Sequence, residues 1–315
     1  MFKVQLRGSL FGLLGLCIAA GSTATANPFI VEQDPTEFTS SFALRYWYGL
    51  GNTSKDLYGA SRDTLNSRLT YSGMQSHSLE IFTRVDHTSS SFFWKGYAGG
   101  GLLIGGNLQD EDFPPAIMPY SSTNSTLQNQ SLAYISFDFG AALVRGPDFR
   151  VDAFIGYHYL HERLKAYGCQ QTASNPDICT GGIPNSVAVI VEDDTWQALR
   201  VGLNADLPLA ERWRLNLEGA ILPYVWFSGN DSHLLRPDLP FPISQDGQGW
   251  GYQLEALLSY KVDDAISVGI GGRYWHMQSR GDAHFEDFGG GPQSLDFKTN
   301  IYGVFVQGSY RFAPF

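Results

Sequence analysis

Residues 149–159 read Phe149-Arg150-Val151-Asp152-Ala153-Phe154-Ile155-Gly156-Tyr157-His158-Tyr159. Successive side chains of an extended strand point to opposite faces. One face therefore carries Phe149, Val151, Ala153, Ile155, Tyr157 and Tyr159, and the other Arg150, Asp152, Phe154, Gly156 and His158. The first face suits lipid, whereas the second needs water or charge partners. A strand with two such solvents is the unit of a transmembrane β-barrel. Inside hydrocarbon every backbone donor and acceptor must be paired, and a closed sheet leaves no open edge.

The alternation recurs outward from this stretch in both directions. From Ile266, the series Ile266, Val268, Ile270, Gly272 and Tyr274 alternates with Ser267, Gly269, Gly271, Arg273 and Trp275. After Trp213, Leu215 and Leu217 oppose Arg214, Asn216 and Glu218. The last strand sets Tyr302, Val304, Val306, Tyr310 and Phe312 on one side and runs to Phe315. A terminal Phe after such a strand resembles the assembly signal of outer-membrane barrels, although Ala313-Pro314 interrupts the usual ending. With 21 Phe, 16 Tyr, 7 Trp and 35 Gly but only 17% charged residues, the composition fits a sheet shared between lipid and water.

Between the alternating segments lie short connections at about 85–90, 145–148, 208–212 and 262–265, and long ones at about 51–64, 109–128, 169–192, 230–248 and 283–296. Four short turns alternating with five long loops define ten strands, an even number with both ends periplasmic. The expected fold is all-β: a transmembrane antiparallel up-and-down β-barrel of ten strands, with short periplasmic turns and long external loops. So narrow a barrel is filled by side chains, among them Arg150, Asp152, Arg214, Glu218 and Arg273 in mutual pairs, which disfavours a wide pore.

The N-terminal end agrees. Lys3 and Arg7 precede an apolar run from Leu10 to Ala20 and the small residues Ala24-Thr25-Ala26, which read as a secretory signal peptide cut after Ala26. The run is too short for a membrane-spanning helix, which needs ~20 residues. Leu16 stands before Cys17 where a lipid-anchoring signal wants a small residue, which disfavours that alternative. Residues 1–26 are thus expected to be a cleaved signal and 27–315 a single barrel domain in the outer membrane of a Gram-negative bacterium. Losing Lys3 and Arg7, and no acid, moves the formal charge from −10 to −12. An acidic surface argues against a nucleic-acid partner. Outer-membrane lipid and peptide or protein substrates at the cell surface are the expected partners. Cys169 and Cys179 stand in a Gln-, Ser-, Asn- and Gly-rich stretch. In an oxidising compartment they read as a disulfide pinning a loop, and a metal site there lacks further ligands of suitable spacing. No cofactor is expected.

Two short constellations could carry chemistry. In Asp110-Glu111-Asp112 the carboxylates of Asp110 and Asp112, at i and i+2, point the same way on an extended segment and can share a proton or position a water. Taken alone this is a solvated acidic loop or a minor calcium-binding candidate. In Asp231-Ser232-His233 a carboxylate two residues from an imidazole can orient the ring and raise its basicity. Taken alone it is a polar loop. Both fall at the outer rim, after the third and the seventh strand.

In this order and on this side, the motifs resemble those of the omptins, outer-membrane endopeptidases built as ten-stranded barrels. The local similarity lies in residues 105–112 and 227–233, and the plan extends over the mature chain. The resemblance implies an aspartic-type peptide hydrolase in which Asp231 orients His233, His233 deprotonates a water, and Asp110 and Asp112 hold that water. It also implies lipopolysaccharide as a lipid activator. Three departures stand against it. Gly229 occupies the place of an acidic residue that receives a basic substrate side chain. Lys55 and Asp56 fall near the family's first-loop Glu. The family's lipid-holding arginines lack clear counterparts around Tyr157 to Arg163. A non-catalytic barrel with a structural, adhesive or binding role is the alternative. Within the chain, Asp282-Ala283-His284 competes by spacing but follows the ninth strand, and His87, His158 and His276 read as structural.

Overall fold

The computed structural model describes residues 38–59, 62–113, 118–173, 175–239, 241–285 and 291–313. The signal-peptide reading of 1–26, the start of the domain at 27 and the terminal Phe315 lie outside these described residues.

The described chain forms twelve antiparallel strands: β1 (Phe38–Tyr58), β2 (Leu65–His87), β3 (Phe92–Ile104), β4 (Asn107–Asp112), β5 (Ser121–Leu127), β6 (Gln130–Arg145), β7 (Arg150–Gln171), β8 (Ile183–Ala210), β9 (Trp213–His233), β10 (Ile243–Lys261), β11 (Ile266–His284) and β12 (Gln293–Arg311). The sheet closes on itself, since β1 pairs with β2 on one side and with β12 on the other. Twelve rather than ten strands appear because two of the expected ten are interrupted. On β2, Gln75 pairs with Ile104 of β3 and Ser72 with Asn107 of β4, so β4 continues the line of β3 past Gly105-Gly106. On β7, Arg163 pairs with Ser131 of β6 and Ala166 with Leu127 of β5, so β5 leads into β6 past Gln128-Asn129. The break needs left-handed backbone: Gly105, Gly106 and Gly73 opposite them have φ of 66°, 103° and 67°, and Asn129 has 53°. Glycine reaches that region without steric cost, and asparagine tolerates it better than most residues.

The five expected external loops are shorter than read, at 59–64, 113–120, 172–182, 234–242 and 285–292, because the strands run on through them. Strands of 19 to 28 residues far exceed the ~9–11 that cross a bilayer. The outer faces mark where lipid ends. On β9, Leu217, Ile221, Tyr224 and Trp226 are exposed apolar residues, and Asn230 follows; on β1, Phe42, Leu44 and Tyr46 give way to Asn52 and Asp56. Above that line the barrel stands in water, and there the candidate site lies.

The lumen is filled. Trp275 packs against Trp47, Tyr97, Tyr134 and His158, with ring centroids 4.8 to 6.3 Å apart. Below it Arg273 bonds Glu80 at 2.6 Å and Glu255 at 2.6 Å. Arg200 joins Asp138 and Glu218, Arg150 joins Asp86 and Asp152, and Arg214 joins Asp206. These lumen charges are paired, as expected from the alternation.

Candidate active site

All four candidate residues sit on strands rather than in loops. Asp110 and Asp112 lie on β4, whose inward series Leu108, Asp110 and Asp112 follows from the period of two; Leu108 is wholly buried beneath them. Asp110 pairs in register with Leu69 of β2 and Thr123 of β5, and Asp112 with Ser67 and Ser121. Asp231 and His233 end β9 on its inward face, next to Glu192 and Ile190 of β8. His233 Nε2 lies 3.0 Å from Asp231 Oδ2. Asp112, Asp231 and His233 line one cavity of about 280 Å³ together with the buried Lys55 at its floor and Leu69, Gln245 and Leu295 on its walls.

The electrostatics tie the two pairs together. Burial works against a charged His233, but the charge and hydrogen bond of Asp231, aided by Asp110, outweigh it and push the ring up to about 9. The converse holds for Asp231, which burial would raise but which His233 and Lys55 hold below its ordinary range. Desolvation and the neighbouring Asp112 push Asp110 up to about 7. Asp112 is raised by desolvation, against a hydrogen bond from Ser67 and the charge of His233. The site thus sets an imidazole that favours its protonated form near two carboxyls that burial pushes toward theirs.

The competing motif does not assemble. Ala283 faces the cavity, so the flanking Asp282 and His284 take the opposite face; His284 bonds Asp246 on the outer surface at 2.9 Å. Of the other histidines, His158 is buried and bonds Ser136, His276 bonds Asn300, and His87 bonds Ser90 in a periplasmic turn.

The sequence reading did not group Lys55, Glu192 and Asp194, which lie together beneath the site. Lys55 is buried on the inward face of β1, where its ammonium contacts Glu192 and reaches Asp194 at 3.2 Å and Gln245 at 2.7 Å. Asp56, its neighbour, turns outward to Arg68. The signal was present: Glu192-Asp193-Asp194 has the same i, i+2 acid spacing as Asp110 and Asp112, but it abuts a stretch read as loop. Cys169 and Cys179 form the expected disulfide, with Cα atoms 5.8 Å apart, tying the end of β7 to the 172–182 loop.

No protein-family model matches the chain, and no curated protein matches it by sequence. Solved structures do match. The outer-membrane protease OmpT of Escherichia coli superposes with a TM-score of 0.71 at 15% identity, over 87% of this chain and 97% of that one. The chain has the omptin fold. OprG of Pseudomonas aeruginosa, at 10% identity over 88% and 98% of the two chains, and the Ralstonia pickettii toluene transporter TbuX, at 10% over 88% and 90%, both give a TM-score of 0.36. The omptin fold is that of an outer-membrane β-barrel, in keeping with the apolar belt around this one.

Proposed function

We propose that the protein is an omptin-like endopeptidase of the outer membrane, hydrolysing peptide bonds at the external mouth of the barrel. The observation that carries this reading is the convergence of Asp112, Asp231 and His233 on one solvent-open cavity, with Asp110 beside them. In the proposed reaction His233, oriented by Asp231, takes a proton from a water held by Asp110 and Asp112. The water oxygen bonds to the scissile carbonyl carbon, giving a tetrahedral intermediate. His233 then returns the proton to the leaving nitrogen as the C–N bond breaks, leaving an amine and a carboxylic acid, whose remaining proton passes to the amine or to solvent. No metal enters this scheme.

The test is cleavage of a peptide library by the refolded protein with lipopolysaccharide present, compared with Asp231→Ala and His233→Ala. A positioned general base contributes roughly 10²- to 10⁴-fold, so either substitution should lower kcat/KM by about that factor. Cleavage that survives both would remove the dyad from the reaction.

A further inference from the structure

Besides Asp112, Asp231 and His233, the cavity is lined by Leu57, Leu69, Leu239, Ile243 and Leu295, interspersed with Ser67, Gln245 and Gln293. Ile243 is the register partner of Asp231 and Leu69 that of Asp110, so apolar surface starts directly beside the dyad and the carboxyl pair. We propose that this apolar lining is a subsite for a large apolar side chain flanking the scissile bond, and that Lys55 at its floor turns cationic side chains away. This deepens the endopeptidase reading and rests on it.

The charges at the floor and rim of the cavity, Asp112 apart, are engaged among themselves. Asp231 is bonded to His233, and Arg236 at the rim is bonded to Asp238 at 2.6 Å. Lys55 is held by Glu192, Asp194 and Gln245. An arginine or lysine side chain reaching the floor would meet this ammonium first. It would then have to break a buried ion pair to reach Glu192 or Asp194, which leaves a cation uncompensated, while Asp112 on the lining is the group that holds the attacking water. Gly229 closes the other route to an acid. A Cβ at Gly229 would stand 2.4 Å from Asp194 Oδ1, so the space beside it already holds a carboxylate turned toward Lys55. An acidic substrate side chain gains nothing from Lys55, whose charge Glu192 and Asp194 already match. What the apolar lining offers is removal of apolar surface from water.

The test uses peptides identical except at the residue flanking the cleaved bond. Leu, Met or Phe there should be preferred over Ala by roughly 10- to 100-fold in kcat/KM, with Arg and Glu below Ala. Leu239→Asp, on the 234–239 loop outside the barrel, should reduce the leucine peptide by at least roughly tenfold and raise the arginine peptide. Lys55→Met, which frees Asp194 and Glu192, should shift preference the same way; because it disturbs a buried pair, Leu239→Asp stands as the variant that leaves the barrel untouched. A readout without turnover separates this inference from the protease reading: the ring signals of His233, followed by NMR as N-acetyl-leucinamide or N-acetyl-argininamide is added. A saturable shift with the leucine amide that Leu239→Asp abolishes supports the subsite even if no peptide is cut, in which case the protease reading alone falls. Preference for arginine or glutamate in either assay, or no saturable shift with the leucine amide, overturns the subsite.

Discussion

The imidazole of His233 governs how the proposed reaction should depend on pH. Its ring is held protonated up to about 9 by Asp231 and Asp110, and only the neutral ring can accept a proton from water. The rate should therefore rise with pH from neutrality and level off near 9, following the loss of one proton in kcat/KM profiles. Asp231→Asn removes the charge that raises the ring, so the rising limb should move to lower pH while the plateau falls by about 10²- to 10⁴-fold; an unmoved limb would assign it to another group. The sign for stability is opposite. A raised histidine contributes fully below its unfolded value of about 6.5 and loses that contribution as pH climbs through about 9. Gly229 supports a second prediction. Supplying an acid there by Gly229→Asp should not create basic specificity, because the new side chain collides with Asp194 Oδ1 and with Phe227 at 2.8 Å. It should instead cost about 1–3 kcal/mol of stability by overpacking, read from urea-induced unfolding in lipid. At this scale the i, i+2 spacing places Asp110 with Asp112, and Asp231 with His233, on shared inward strand faces, as it must on any extended segment. The sequence could not disclose Lys55 as their neighbour, since its partners Glu192 and Asp194 lie more than a hundred residues away and meet it only across the closed lumen.

The strands show where periodicity is informative and where it fades. Within the membrane, lipid and lumen demand opposite chemistry, so residues 149–159 and 266–275 could be assigned face by face, and Asp152, Phe154, Arg273 and Trp275 are indeed buried while Ile155, Val268 and Ile270 are exposed. Above the membrane both faces of a strand meet polar surroundings. Ser121-Ser122-Thr123-Asn124-Ser125-Thr126-Leu127 therefore has no apolar alternation and reads as loop, although it is β5. The same loss of contrast hid the break between β3 and β4. That break sets the direction of the candidate carboxylates of Asp110 and Asp112, since Asp110 lies four residues beyond Gly106. At Gly106 a Cβ would stand 2.9 Å from the carbonyl oxygen of Ser72, on a backbone with φ of 103°. Gly106→Ala should therefore destabilise the barrel by about 1–3 kcal/mol. It should also lower kcat/KM more than it alters the unfolding cooperativity, because a small displacement of β4 moves Asp110 and Asp112 away from His233. Activity equal to that of the parent would mean that the bend is incidental to the site.

At the scale of the whole barrel, a closed ring of ten strands leaves a narrow interior, and what occupies it decides between a pore and a scaffold. Here the axis is blocked twice. Trp47, Tyr97, Tyr134 and Trp275 form an aromatic layer, and beneath it Glu80 receives Arg45 at 3.0 Å and Arg273 at 2.6 Å while Glu255 receives the same two arginines at 3.2 and 2.6 Å. Two acids and two arginines thus balance inside a ring of strands that lipid surrounds. The layers also brace distant walls, since Trp275 of β11 packs against Tyr134 of β6 across the ring and Arg273 of β11 bonds Glu80 of β2, with β1 and β12 between them, so the outer mouth that holds the site rests on a cross-linked base. Two outcomes follow. In planar bilayers the protein should show no steady open-channel conductance, and a sustained current would contradict the filled lumen. Glu80→Leu should leave two arginines facing one acid, a buried charge without a partner, at a cost of about 3–5 kcal/mol. That loss should appear as a lower urea midpoint for unfolding from vesicles, whereas Glu80→Leu combined with Arg273→Met restores the balance with one acid and one arginine and should recover much of it. If the double substitution is no more stable than the single one, charge balance is not what the layer contributes, and packing around Trp275 carries the bracing instead.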